Sequence, residues 1–285
     1  MFRVGVIGAG RLGAAVGAAL AGAGHEVVGV VAGSAASQER AAALLPGAPL
    51  LTADQVVERA NLVLVTTPDD AIAPLVAGLE RLGAWHQGHV AVHFSGAHGL
   101  DVLAPARRAG AVVLALHPVM TFTGTSIDLN RLHQAPIAVT AQDGFEMLGD
   151  ALAVELGGEP FHLEDAHRVL YHAALSHGAN HLVTLVAQAQ RLLGEAGVDR
   201  AVLAPLLTAA LEGALTSGDE ALTGPVARAD AGTVTAHLQA LAAQPDQQIT
   251  QTYRHLAAAT ARRAAERRRL GPGQLAELLA ILEEK

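Results

Sequence analysis

The chain has 285 residues, of which 51% are hydrophobic and only 3% aromatic, with a formal charge of -8 and a pI of about 5.9. That length accommodates two domains. The acidic balance, with no basic run before Arg262, Arg263 and Arg267 to Arg269, argues against a nucleic-acid partner. The absence of cysteine excludes disulfides and thiolate chemistry, and the single lysine, Lys285, closes any mechanism that needs a lysine proton donor or Schiff base. Residues 1 to 7 run straight into a buried-strand pattern, and no long apolar segment free of turn signals follows. A cytoplasmic protein with no membrane partner is the expectation.

In chain order, short apolar runs at Phe2 to Ile7, Glu26 to Val31, Leu62 to Thr66, His89 to Phe94, Val112 to Leu116 and Ile137 to Thr140 alternate with helical stretches. This rhythm predicts a doubly wound parallel sheet. Strand signals stop near Gly158. Beyond it, Glu164 to Leu193, Asp199 to Leu215, Thr233 to Ala243, Pro245 to Arg269 and Gln274 to Glu284 read as helices. The fold class is therefore α/β, an N-terminal doubly wound Rossmann-type sheet at 1-160 followed by an all-helical domain at 161-285. The junction is expected between Gly157 and Leu163. The late arginines read as helix-end cations.

Gly8-Ala9-Gly10-Arg11-Leu12-Gly13 follows the first strand directly and opens a helix, which strengthens an otherwise weak motif. The first glycine allows the turn, the second lets backbone approach a pyrophosphate, and the third lets helix and strand pack closely. Dinucleotide binding follows as an expectation. A site preferring NAD places Asp or Glu after the second strand, but Ala32-Gly33-Ser34 stands there. With Ser34, Ser37, Arg40 and Arg11 able to donate to a 2'-phosphate, NADP(H) is the expected cofactor. Ser34 and Ser37 can equally cap the next helix. Thr66-Thr67-Pro68 ends the Leu62 to Thr66 strand, where it can border the nicotinamide ribose or simply start a helix.

His93 to His98 and His117 to Phe122 end strands on the edge where ligands bind in such sheets. Ser95 is a candidate to hold a carboxylate or carbonyl, and His117 to orient substrate or exchange a proton. On the long helix His172, Ser176 and Asn180 lie four apart and form one polar stripe. His172 and Asn180 are candidates for substrate contact; the alternative is hydrogen bonding inside a helical dimer core. His177 and His181 are also four apart, but without a third ligand no metal is expected.

These residues resemble the proteins that join a Rossmann-like domain to DUF2520, a group related to ketopantoate, pyrroline-5-carboxylate and 3-hydroxyisobutyrate-type reductases. The resemblance rests on the glycine loop, His93-Phe94-Ser95-Gly96, the segment from His117 to Phe122, Tyr171-His172-Ala173-Ala174 with Asn180, and Leu222 to Asp230. It implies an NADP-binding domain, a helical substrate domain and a homodimer formed through that domain. Where related enzymes carry a lysine proton donor on the long helix, His172 stands instead. Arg228, in Gly224-Pro225-Val226-Ala227-Arg228, can fix a substrate carboxylate or pair with Asp230. The implied function is reduction of the carbonyl or imine of a small carboxylate metabolite, ketopantoate being one candidate. His172 would be the acid, Asn180 and Ser95 the orienting groups, and Arg228 or His117 the carboxylate holder. A non-catalytic NADP(H)-binding sensor or scaffold is the competing reading.

Overall fold

A computed structural model describes residues 1 to 283; Glu284, the expected end of the last helix, and Lys285 lie outside the described residues. The first unit, Met1–Gly178, is built on a seven-stranded sheet. Its strands are β1 (Arg3–Ile7), β2 (Glu26–Val31), β3 (Leu62–Val65), β4 (Val90–His93), β5 (Val112–Pro118), β6 (Pro136–Ala141) and β7 (Glu159–His162), in the order β2-β1-β3-β4-β5-β6-β7. All neighbours pair in parallel except β5 and β6, which are antiparallel. The Rossmann-type α/β expectation holds, with that one reversal.

Near-continuous Val, Leu, Ile and Ala runs suit strands covered on both faces. Alternate residues divide between two cores. Val4, Val6, Leu62, Leu64, Val92 and Leu114 pack with Val16 and Leu20 of helix α1 (Arg11–Gly22) on one face. Ile7, Val63, Val65, Ala91 and Val113 pack with Val56, Ile72, Val76 and Trp85 on the other. Helices on both faces leave the C-terminal strand ends of β1, β3, β4 and β5 as the open edge of the sheet.

β7 was not anticipated from the sequence. It is an edge strand, Glu-Pro-Phe-His, whose proline and partly exposed residues hide the alternation. With it, the chain into the first long helix remains part of the sheet unit. The compact units divide after Gly178. The helix itself is not continuous. Arg168–Leu175 is followed by a π-turn, Ser176–Asn180, and then by His181–Glu195.

The second unit, from Ala179 onward, is helical. Its core brings Val234 and Leu238 against alanines 257, 258, 261 and 264 of helix Gln247–Glu266 and Leu278 and Leu282 of the final helix, so small side chains allow close helix packing. The late arginines hold a turn: Arg263 and Arg267 bind the Asp219 carboxylate, and Arg269 donates to the carbonyls of Glu220 and Leu222. The stretch from 200 to 227 is apolar enough to suggest a membrane span by composition. It is broken at Gly218 and Gly224, and its main helix, Leu203–Ser217, has 15 residues. At 1.5 Å per residue that helix covers about 22 Å, short of the roughly 30 Å hydrocarbon core.

Candidate active site

The glycine loop has the geometry a pyrophosphate cradle needs. Gly8 adopts φ +109°, and a Cβ there would lie 2.8 Å from the Thr66 carbonyl oxygen. At Gly13 a Cβ would fall 2.1 Å from the Gly8 carbonyl oxygen, so helix α1 approaches β1 through the missing side chain. At Gly10 nothing lies within 4 Å of the same position. Gly10 is the N-cap of α1, and no side chain caps that end and no acidic residue sits in its first turn. The first-turn amides around Arg11, Leu12 and Gly13 thus keep their donors for an anion. Ala9 is fully buried and donates its amide to Val31, which fixes the loop to β2.

Thr66 clips this loop from β3, its hydroxyl donating to Gly8 O at 2.8 Å and Ile7 O at 3.2 Å. Thr67 follows with a buried hydroxyl that has no partner among the described residues, and Pro68 is the N-cap of helix Asp69–Arg81. An open glycine position, an uncapped helix end and an unpartnered hydroxyl on one sheet edge fit a bound dinucleotide.

After β2, Ser34 and Ser37 form a reciprocal capping box at helix α2 (Ala35–Leu44). Ser37 is buried and its hydroxyl donates to Ser34 O at 2.7 Å, so that hydroxyl is engaged in the cap rather than turned to a ligand. Ser34 remains exposed. Arg11 and Arg40 both flank Gly124, and neither has a carboxylate partner among the described residues. Arg40 also makes a long 3.4 Å contact to Ala9 O. The loop carrying Gly124 is braced by Asp128, whose enclosed carboxylate accepts the amides of Thr123 and Gly124.

The next strand end continues the site. Ser95 is buried; its hydroxyl donates to Asp69 Oδ2 at 2.8 Å and accepts the amides of Ala97 and His98. Those three bonds occupy the hydroxyl expected to orient substrate, so Ser95 braces the loop instead. Beside it, a Cβ on Gly96 would meet His172 Cδ2 at 2.6 Å and His117 Nε2 at 2.9 Å. Two imidazoles therefore converge on a position where only glycine fits, their rings 6.1 Å apart and perpendicular.

His117 Nδ1 lies 2.7 Å from the Tyr171 hydroxyl. Burial, reinforced by the charge of Arg168 and by His172, holds His117 down to about 4 against the opposing pull of Asp69. Burial and Arg168 likewise hold His93 down to about 3, with His93 Nε2 against Gly99 O at 3.0 Å. Both rings are neutral at pH 7. Burial pushes Tyr171 up to about 12, with Arg168 opposing.

Sequence reasoning missed the group that organises this cluster. Asp165, Arg168 and Tyr171 lie three apart, on one helical face. Asp165 accepts the Leu100 amide, Arg168 donates to Ser95 O at 2.7 Å and Thr140 Oγ1 at 2.8 Å, and Tyr171 reaches His117. Arg168 is fully buried, and among the described residues it has no carboxylate within salt-bridge distance and its Nε has no partner. The i, i+3, i+6 spacing was the available signal.

Asn180 and Arg228 belong to the helical unit and are exposed. Arg228 and Asp230 do not lie within salt-bridge distance. Asp230 caps helix Ala231–Ala242 by accepting the Thr233 amide and hydroxyl, which chiefly hold its carboxyl below the usual range, and the charge of Arg228 adds to this.

Fold and loop geometry together define a Rossmann-type domain joined to a helical unit. Family models agree: that of the Rossmann-like domain matches residues 1–118, and that of DUF2520, a domain of unknown function, matches residues 135–260. The two matches follow one another along the chain, at 1–118 and 135–260. No curated protein matches the sequence significantly. Among solved structures, it is similar to a Bacteroides fragilis protein assigned as an NADP oxidoreductase, at 22% identity over 92% of this chain and 98% of that one, with a TM-score of 0.77. It is also similar to an imine reductase from Pseudomonas sp., at 20% identity over 99% and 98% with a TM-score of 0.67. A variant imine reductase from Myxococcus stipitatus in complex with NAD+ matches at 18% identity over 100% of both chains, with a TM-score of 0.61.

Proposed function

We propose that the chain is an oxidoreductase that uses NADP(H) to reduce the carbonyl or imine of a small carboxylate-bearing metabolite. One continuous set of contacts carries this reading. Thr66 ties the glycine loop to the segment after β3, Asp69 of that segment binds Ser95, and the residue after Ser95 supports both imidazoles. The cradle and the imidazoles are thus neighbours along one edge, linked by hydrogen bonds as far as Ser95 and by packing from Gly96 onward.

The loop from Gly8 to Gly13 would hold the pyrophosphate, Thr66 to Pro68 would border the nicotinamide ribose, and Arg11, Arg40 and Ser34 would take the 2'-phosphate. A reduced nicotinamide bound there supplies a hydride. The imidazole pair His117 and His172 supplies the proton for the oxygen or nitrogen that receives it. The roles of Asn180 in orienting substrate and of Arg228 in holding its carboxylate rest on the sequence pattern alone. A 2-oxo acid such as ketopantoate is the first substrate to test, and a cyclic imino acid the second, because the structural neighbours include imine reductases.

We also propose a homodimer through the helical unit. His181–Glu195 and Leu203–Ser217 contain no buried residue, and Val183, Leu206 and Leu215 are exposed. So large an apolar face calls for cover, and a second copy supplies it.

The cofactor assignment is tested by titrating wild type and Arg40→Ala with NADPH and NADH while following NADPH oxidation over a panel of oxo acids and imines. Wild type should prefer NADPH. Arg40→Ala should weaken NADPH about 10-fold or more, as expected for a lost charge-assisted contact, and leave NADH nearly unchanged. Equal losses for both nucleotides would show that Arg40 does not read the phosphate. Binding of NADPH without turnover of any panel member would favour the sensor reading.

A further inference from the structure

We infer that Tyr171, acting through His117, delivers the proton in the reduction proposed above, and that the buried guanidinium of Arg168 stabilises the charge left on the Tyr171 oxygen. The inference rests on the oxidoreductase reading and adds to it the route of the proton.

The relay sets the direction of the pair. The Tyr171 hydroxyl lies 2.7 Å from His117 Nδ1. For the hydroxyl to donate, Nδ1 must be the accepting nitrogen. His117 then carries its proton on Nε2, the nitrogen that lies against Gly96 beside His172. A neutral imidazole is by itself a poor acid. It becomes a competent donor when its other nitrogen gains a proton as the first is lost.

The balanced step follows. As the hydride of the reduced nicotinamide reaches the carbonyl carbon, the developing alkoxide oxygen takes the proton from His117 Nε2, and the Nε2–H bond breaks. Nδ1 takes the proton of Tyr171, the O–H bond breaks, and a tyrosinate remains; with an imine the nitrogen is protonated in the same way. The alkoxide is a stronger base than a tyrosinate, so the transfer runs downhill. A proton from solvent is later taken up at His117 Nε2 as Nδ1 returns its proton to the Tyr171 oxygen, which restores both groups with one net proton consumed.

Arg168 is the positioning residue. An enclosed arginine with no carboxylate in contact is costly, and Tyr171 and Asp165 are the groups whose charge favours it. Here it sits three residues before Tyr171, is held by Ser95 O and Thr140 Oγ1, and favours both the neutral His117 ring and a negative Tyr171 oxygen. Phe161 of β7 packs edge-on against Tyr171 and fixes its ring.

The test combines a spectrum with kinetics. Nitrogen-15 histidine spectra of the whole protein at pH 7, without nucleotide, should show His117 neutral with its proton on Nε2, and Tyr171→Phe should mix the tautomers. Tyr171→Phe should lower kcat about 100-fold, the range of a lost general acid, with KM and NADPH affinity within about twofold. A proton on Nδ1 in the wild type, or Tyr171→Phe turnover within about threefold of wild type, overturns the relay. Failure of wild type to bind NADPH removes the oxidoreductase reading and the relay's role with it. Normal NADPH oxidation by both proteins removes the relay alone.

Discussion

Two glycines three residues apart should respond in opposite ways to the same added methyl group. At Gly13 the methyl carbon would lie 2.1 Å from the Gly8 carbonyl oxygen and 2.4 Å from Thr66 Oγ1. Since ordinary contact is about 3.5 Å or more, α1 must move away from β1. Overpacking of this kind costs about 2–3 kcal/mol. For a sheet unit of this size that lowers Tm by roughly 5–10 °C. At Gly10 φ is -66°, which alanine adopts freely, and nothing lies within 4 Å, so Gly10→Ala should keep the wild-type Tm. Its methyl instead enters the space left for the pyrophosphate and should weaken NADPH at least about 10-fold, or ~1.4 kcal/mol. Thermal unfolding with and without nucleotide reads both effects. At a concentration 100 times the wild-type Kd, NADPH stabilises wild type by about 2.7 kcal/mol and a tenfold weaker binder by about 1.4 kcal/mol. An unchanged nucleotide shift in Gly10→Ala would refute the placement of the cradle, and a wild-type Tm in Gly13→Ala would refute the packing argument.

Further measurements bear on the rest of the molecule. His89, His93 and His117 are held down to about 4, 3 and 4, chiefly by burial. Below about pH 6.5 the unfolded chain takes up protons that the folded chain refuses, so stability falls as pH drops toward 4, by several kcal/mol for the three together. The urea midpoint should therefore decline steadily between pH 6.5 and 4.5; a flat profile would mean these rings titrate normally. Leu211 and Leu215 are 49% and 79% exposed on the apolar face of the helical unit. Replacing both by glutamate should turn a sedimenting dimer into a monomer without lowering helicity, whereas a wild-type monomer would end the dimer proposal.

The glycine loop was legible because its signal is local. The strand, the turn and the helix end all lie within about a dozen consecutive residues, and each glycine has its own steric reason. The capping role of Ser37 was legible for the same reason, as one of two stated possibilities. β7 was not, because an edge strand of four residues with a proline carries no alternation. The π-turn was also invisible: Ser176–Asn180 has helical composition, and nothing local marks the extra residue in its turn. Spacing could have placed Arg168 and Tyr171 on one helical face, but partners of Tyr171 and Arg168 lie 54 and 73 residues away, and only the fold identifies those. His117 was found because it stands in a polar segment at a strand end, and His172 because it begins a polar stripe on the long helix; that both converge on Gly96 needed the fold.

The fusion of the first helix to the sheet has a practical consequence for cutting or recombining this chain. A fragment ending at residue 160 would stop midway along β7 and discard Arg168 and Tyr171, leaving Ser95 O and Thr140 without the guanidinium that joins them. A fragment ending at Gly178 keeps every one of those contacts. Exchange of the later helices would then leave the contacts of Arg168 and Tyr171 with the sheet unit in place.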